Sequence, residues 1–143
     1  MVKEQYVNVD TAKLLKEMGF DSNECIAVYT ELIPNEMELF IDDNILDYGI
    51  EDYMEGTFGE EWWRQPYYLA PTQAMAMQWL REIKAIFFEA RLCIGEMTDK
   101  GLYQLEIFEK TEPDEYMHRG FVYGNTYEEA CENFIIYCLE HVL

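Results

Sequence analysis

The sequence predicts an α+β fold, in which a mostly antiparallel sheet of about four to five strands carries amphipathic helices packed on one face. Half of the 143 residues are apolar and 15% are aromatic, which is enough to bury a core and is typical of a folded globule. Segments of helical and of strand periodicity follow one another along the chain. Because no internal repeat and no Pro- or Ser-rich linker divides it, we expect residues 1–143 to form a single domain with an acidic irregular segment at about 36–68.

The N-terminal part is expected to contain a short helix and a β-hairpin. Asp10 opens the helix, and Gly19 ends it because glycine accepts the left-handed conformation found at helix C-termini. Residues 25–33 alternate in the manner of a strand, residues 34–35 supply a turn, and residues 38–41 return as the second strand.

The middle of the chain combines an irregular stretch with a clear helix. Residues 42–68 follow no clear period, and a short helix near residues 50–54 is the one element expected there. Pro71 marks the first turn of a helix that runs from Ala70 to about Lys84, since proline lacks the N–H that a first turn leaves unpaired. The predicted apolar face of this helix consists of Met75, Ala76, Trp79, Leu80 and Ile83.

Three strands are predicted next, over residues 86–94, 102–110 and 116–123. Residues 99–101 have the composition of a hairpin turn between the first two of them. In the second strand, Leu102, Gln104, Glu106 and Phe108 form the more polar alternate set, as expected of a sheet with one wet face.

The last helix has the clearest signal in the sequence. Thr126 and Glu129 fit a capping box, in which each side chain satisfies a backbone N–H at the helix start. A continuous stripe at helical spacing follows, which predicts one buried face. Its members are Tyr127, Ala130, Cys131, Phe134, Ile135, Cys138, Leu139 and Val142.

Acidity is the dominant feature of the composition. The chain carries 29 acids and 10 bases, a formal net charge of −19. Residues 17–63 contain 14 acids and neither lysine nor arginine. Because nucleic acids and anionic membranes are bound through basic faces, the few scattered bases argue against direct nucleic-acid binding and against membrane binding. No apolar run approaches the ~18 residues of a membrane helix, and the first residues lack a secretory signal, so a cytoplasmic location is expected.

Three interpretations of this acidic stretch stay open. It is a solvated surface that keeps the protein soluble, a docking surface that steers a basic protein, or a site for a divalent cation. The run Asp42-Asp43-Asn44 with Asp47 resembles the start of a calcium loop. The EF-hand pattern fails, however, because Leu46 stands at a ligand position and Asp47 replaces the required glycine.

The sequence favours a non-enzymatic acidic accessory protein that binds a basic protein partner, with nucleic-acid mimicry as the strongest form of this hypothesis. In that form, carboxylates spaced like backbone phosphates occupy the basic groove of a DNA-binding enzyme. One alternative is a carboxylate-based metal-dependent or hydrolytic enzyme, and another is a homo-oligomeric scaffold that uses the aromatic cluster at residues 62–68. The oligomeric state is left open. The residues expected to contact the partner are Glu36, Glu38, Asp42, Asp43, Asp47, Glu51, Asp52, Glu55, Glu60, Glu61, Trp62 and Trp63.

Catalytic chemistry has little support in the sequence. The two histidines, His118 and His141, have no partner that the sequence identifies, and the four cysteines lack the spacing of a zinc site. No phosphate-binding glycine loop and no hydrolase motif is present. We therefore assign no catalytic residue, no metal ligand and no cofactor, and we favour a non-enzymatic role while leaving enzymatic activity undecided.

Two segments resemble a family of small proteins encoded by phages, prophages and mobile elements of Bacteroides-type gut bacteria. The stretch APTQAMAMQWLRE at residues 70–82 is similar to the family's APTxxMAxxWLRE segment. The stretch TYEEACE at residues 126–132, with IYCLE at residues 136–140, is similar to its TYEEAxE…YCLE ending. The resemblance implies an accessory protein of a mobile element, for which antagonism of a host defence is the natural expectation. It implies no activity and no catalytic residue.

Overall fold

The computed structural model describes residues 4–22, 24–33, 35–59, 66–93 and 101–143, with the backbone alone described at residues 32 and 33. Over these ranges the fold is α+β, with five α-helices and two three-stranded antiparallel sheets. The predicted single sheet of about four to five strands is therefore wrong. Each group of strands has helices of its own to cover it.

The chain divides into two compact units. The N-terminal unit is formed by residues 6–72, and the C-terminal unit by residues 73–143 together with the first five residues. The single domain expected from the sequence stays a prediction. No helix in the described ranges has the length and apolar character needed to cross a bilayer.

The N-terminal unit begins with a helix and a hairpin and adds two short helices and a third strand. In order, its elements are α1 (Val9–Glu17), β1 (Ala27–Ile33), β2 (Glu36–Ile41), α2 (Asn44–Tyr48), α3 (Ile50–Phe58) and β3 (Tyr67–Leu69). The sheet has the order β2-β1-β3, so β1 is its central strand. Val28 on β1 pairs with Phe40 on one side and with Leu69 on the other.

Helix α1 ends as predicted but begins earlier. Gly19 has a φ of +87°, which confirms its role at the C-terminus of the helix. The N-cap is Asn8, whose side-chain Oδ1 accepts a hydrogen bond from the Thr11 N–H at 2.9 Å. Asp10, predicted to open the helix, lies inside its first turn, where its negative charge suits the helix dipole.

The stretch 36–68, predicted to be irregular, contains strands and helices over most of its described residues. It holds strands β2 and β3 and the helices α2 and α3, which are five and nine residues long. The helix predicted near residues 50–54 is present and continues to Phe58. Gly49, with a φ of +81°, separates the two helices. Elements this short show too few periodic positions for the sequence to identify them.

One apolar cluster joins the two short helices to the hairpin. Its buried members are Val28 from β1, Ile45 from α2 and Met54 from α3. Phe40, Ile50, Tyr53, Phe58 and Tyr67 pack around them. The rings of Phe40 and Phe58 meet edge to face with their centroids 4.9 Å apart, which fixes the end of α3 against β2.

The C-terminal unit consists of a helix, a three-stranded meander and a final helix. Its elements are α4 (Gln73–Lys84), β4 (Ile86–Leu92), β5 (Tyr103–Glu112), β6 (Glu115–Gly124) and α5 (Tyr127–Tyr137), followed by a π-helical segment, Cys138–Val142. The strand order is β4-β5-β6. The part of the first predicted strand beyond residue 93, and residues 99 and 100 of the predicted turn, lie outside the described ranges.

Helix α4 ends at Lys84 as predicted but begins three residues later than predicted. It begins at Gln73, because residues 70–72 are still extended and the Ala70 N–H donates to the Ala27 carbonyl at 3.0 Å. Its buried positions are Gln73, Ala76, Met77 and Leu80. Ile83, predicted on the apolar face, is 65% exposed. The buried stripe is rotated toward Met77, which leaves Ile83 in the last turn facing solvent.

Most of the residues predicted to form the buried stripe of α5 are buried. Ala130, Cys131, Phe134 and Ile135 are buried, and Thr126 Oγ1 accepts the Glu129 N–H at 3.0 Å as a capping residue. Tyr127, at the start of the stripe, is 40% exposed, although its ring meets that of Tyr103 on β5 edge to face. The rings of Phe134 and Phe88 lie 5.2 Å apart and join the helix to β4.

Strand β5 alternates as predicted, with one exception. Leu105 and Ile107 are fully buried on the face toward α5. Gln104, assigned to the polar set, is only 4% exposed. Its Nε2 donates to the hydroxyl of Tyr123 at 3.0 Å, so a cross-strand hydrogen bond partly compensates the burial of its amide.

Gly124 sets the distance between β6 and α5. A Cβ atom at this position would lie 2.3 Å from the backbone nitrogen of Ala130, closer than any real contact. The absence of a side chain therefore lets the first turn of α5 approach the end of the strand.

We expect Gly124→Ala to lower the free energy of unfolding by roughly 1–3 kcal/mol, because the added methyl group forces the helix away from the strand. Urea denaturation measures the change. Gly56→Ala is the matched control, since a Cβ there meets nothing within 4 Å. It should be neutral or stabilise the helix by up to about 1 kcal/mol. Equal stability of the Gly124→Ala variant and the wild type would contradict the close approach.

All four cysteines are free and buried. Burial raises the pKa of Cys138 to about 12. Burial also raises the pKa values of Cys25 and Cys131 to about 11, with nearby carboxylates adding to the effect. These thiols are therefore neutral core side chains, and their high pKa values make them poor nucleophiles.

Stability is expected to fall in alkali for the same reason. Above the ordinary thiol pKa of 9.0 the unfolded chain loses the Cys138 proton while the folded chain keeps it, up to about 12. The contribution of the buried Cys138 thiol to the free energy of unfolding is thus complete below pH 9.0. It is lost as the pH rises from 9.0 to about 12. Urea titrations at neutral and alkaline pH should show a smaller decline for Cys138→Ala than for the wild type. Parallel declines would argue against a buried thiol.

Candidate partner-binding surface

The negative charge of the protein is concentrated in the N-terminal unit. Residues 6–72 contain 15 acids and three bases, which gives this unit a formal charge of −12 out of −19 for the whole chain. The two described bases, Lys13 and Lys16, lie on α1, and both lie over the ring of Tyr68. Lys16 Nζ also donates to the Tyr67 carbonyl at 3.0 Å, so these cations serve the contact between α1 and β3.

Eight of the twelve residues predicted to contact a partner lie in the described ranges. We call them the acidic surface: Glu36, Glu38, Asp42, Asp43, Asp47, Glu51, Asp52 and Glu55. Asp42 is half-buried and the other seven are exposed. The remaining four predicted residues, Glu60, Glu61, Trp62 and Trp63, lie outside the described residues.

Strand alternation and the helical period decide where the carboxylates of β2 and α3 lie. Alternation along β2 places Glu36 and Glu38 on the same sheet face as Phe40, which is the face that α3 contacts. In α3 the apolar cluster takes Ile50 and Met54, so the helical period turns the acidic positions of that helix to solvent.

None of the eight carboxylates forms an ion pair with a described lysine or arginine. Glu51 and Glu55 are one helical turn apart, where like charges repel and destabilise a helix slightly. No described lysine or arginine of the unit offsets the repulsion among these carboxylates by an ion pair. A cationic partner would relieve it.

A surface cleft of about 330 Å³ opens within the acidic surface. Its lining consists of Asp42, Asn44, Tyr48, Asp52, Tyr53, Gly56 and Thr57. Two of these residues, Asp42 and Asp52, were predicted from the sequence as partner contacts, and the fold brings them to one site. Tyr48 contributes a ring that is 66% exposed.

Asp42 is held in a defined orientation. Its Oδ1 accepts the backbone N–H of Asn44 at 2.9 Å, and its Oδ2 accepts the hydroxyl of Tyr53 at 3.2 Å. Burial, and then the hydrogen bond and charge of Asp42, raise the pKa of Tyr53 above its usual range, so the phenol keeps its proton and remains a donor.

The sequence did not identify Tyr48, Tyr53 or Gly56 as part of a site. A prediction of α3 over its full length would have placed Asp52 and Gly56 on one face, four residues apart. The position of Tyr48 beside them depends on the turn at Gly49, which no periodicity reveals.

The calcium-loop resemblance at residues 42–47 corresponds to a different local structure. Asp42 accepts the Asn44 N–H just before α2, as in an Asx turn. Among the described residues, no three histidine, cysteine or carboxylate side chains converge in a group able to hold a metal ion.

The two histidines lie in the C-terminal unit. His118 Nε2 is 3.1 Å from Glu106 Oε2 on the neighbouring strand, and its ring contacts those of Phe108 and Phe121. His141 lies in the π-helical segment 3.7 Å from Glu140, near the C-terminal end where a cation is mildly favourable.

Comparison of the chain with protein-family models, curated proteins and solved structures gives no match. The resemblance to proteins of phages and mobile elements stays a prediction.

Proposed function

We propose that this protein is a non-enzymatic accessory protein whose N-terminal unit docks a basic protein. The observation that carries the proposal is the acidic surface itself, because its eight carboxylates have no described cationic partner. The two described bases of the unit, Lys13 and Lys16, lie against β3 and form no ion pair with these carboxylates. Binding of a basic surface supplies the missing positive charge.

The electrostatics favour fast association with a cationic partner. A unit with a formal charge of −12 generates a negative potential that extends about one Debye length into solvent, roughly 8–10 Å at moderate salt. Such a field steers a basic protein toward the surface before any contact forms. It also makes the affinity fall as salt is added.

Nucleic-acid mimicry is the form of this function that we favour. Proteins that grip a phosphate backbone present rows of lysine and arginine, and a dense set of carboxylates attracts those rows in the same way. The partner class is therefore a nucleic-acid-binding protein. The acidic protein competes with nucleic acid for the basic groove of that partner. This role agrees with the one expected of a mobile-element accessory protein.

Neutralising the acidic face of α3 tests the proposal. The variant Glu51→Gln/Asp52→Asn/Glu55→Gln removes three exposed charges, and each is worth about 0.5 kcal/mol to a complementary contact, so affinity should fall about tenfold. The control Glu112→Gln/Asp114→Asn/Glu115→Gln makes the same change of net charge at exposed residues of the C-terminal unit. It should bind almost as well as the wild type.

The measurement starts from affinity capture of proteins from nuclease-treated bacterial lysate on the immobilised wild type and both variants. Captured proteins are purified, and their dissociation constants are measured at low and high salt, with and without duplex DNA. We expect basic nucleic-acid-binding proteins that are released by salt and by DNA. Partners that are insensitive to salt, or that bind the α3 variant as tightly as the wild type, would overturn the proposal.

A further inference from the structure

The cleft within the acidic surface has a more specific chemistry than the rest of that surface. It combines two carboxylates, Asp42 and Asp52, with the tyrosine rings of Tyr48 and Tyr53 in about 330 Å³. None of these four side chains is paired with a described lysine or arginine. The space suits one extended side chain from another molecule.

The orientation of Asp42 favours a planar cation. The Asn44 N–H and the Tyr53 hydroxyl each occupy one of its two oxygens, at 2.9 and 3.2 Å, and each oxygen keeps a lone pair for a further donor. A guanidinium group presents two parallel N–H donors that match a carboxylate held in this way. An ammonium group has no such fork and binds as a point charge.

The exposed ring of Tyr48 adds to the same preference. Guanidinium groups stack on aromatic rings more readily than ammonium groups, because they are planar and less strongly hydrated. Tyr48 is 66% exposed although it is a large aromatic residue, and it lines the cleft together with Asp52. A guanidinium in the cleft can therefore stack on a ring while a carboxylate accepts its N–H groups.

We propose that the cleft takes an arginine side chain of the basic partner. This inference rests on the proposed function and adds to it the anchor residue that the partner contributes. It predicts that the cleft binds arginine more tightly than lysine. A diffuse negative charge would bind the two side chains with similar affinity.

Gly56 allows the cleft to be filled without disturbing the fold. It lines the cleft within helix α3, and a Cβ built on it meets nothing within 4 Å. Side chains on a helix lean toward its N-terminus, so a leucine at this position would project over Asp52 into the cleft.

The test uses two short fluorescent peptides of equal length and charge, one of lysine residues and one of arginine residues. Their dissociation constants are measured by anisotropy at low and high salt for the wild type, Gly56→Leu and Tyr48→Ala. The wild type should bind the arginine peptide about fivefold more tightly than the lysine peptide. Gly56→Leu and Tyr48→Ala should bind both peptides with the affinity that the wild type has for lysine.

The outcomes separate this inference from the proposed function. Equal binding of both peptides by the wild type, or an arginine preference that survives in Gly56→Leu and Tyr48→Ala, overturns the arginine site and leaves salt-dependent docking intact. Loss of all salt-dependent binding in the wild type overturns both. Thermal unfolding followed by circular dichroism confirms that each variant is folded before its binding is compared, and exposed Tyr48 provides the second variant if Gly56→Leu does not fold.

Discussion

One small apolar cluster holds the two short helices of the N-terminal unit on its hairpin. Val28, Ile45 and Met54 are almost completely buried in it, and they come from a strand and from two helices of five and nine residues. Helices of that length are not stable alone in water, so α2 and α3 exist because they pack on the hairpin. The display of the acidic surface depends on that packing, as does the cleft.

Tyr53 links this cluster to the proposed site. Its ring packs against the buried residues, and its hydroxyl donates to the carboxylate of Asp42 in the cleft. The orientation of Asp42 is therefore set by the core and not by solvent. A cleft held in this way would lose little side-chain freedom when the proposed arginine enters.

The C-terminal unit is built from longer elements with different constraints. Strands β5 and β6 have ten residues each, and the close approach at Gly124 fixes α5 beside them. The buried thiols of Cys131 and Cys138 belong to the face of α5 and the π-helical segment that packs inward. Most of the net negative charge and the cleft lined by Asp42 and Asp52 belong to the other unit.

The sequence by itself determined the α+β class, the stripe of α5, the end of α1 at Gly19 and the location of the excess charge. Each of these features can be read from residues close together in the chain. The stripe of α5 is a repeat over several turns, the end of α1 is one glycine, and the excess charge is a count of acids. Only the tertiary structure decided that the strands form two sheets, since the pairing of Val28 with Leu69 joins residues far apart in the chain. It also decided that α2 and α3 form, that Ile83 is exposed while Gln104 is buried, and that Asp42, Tyr48 and Asp52 share a cleft. Those outcomes depend on packing between segments that are distant in the chain. The local pattern of a short segment does not show which other segment it packs against.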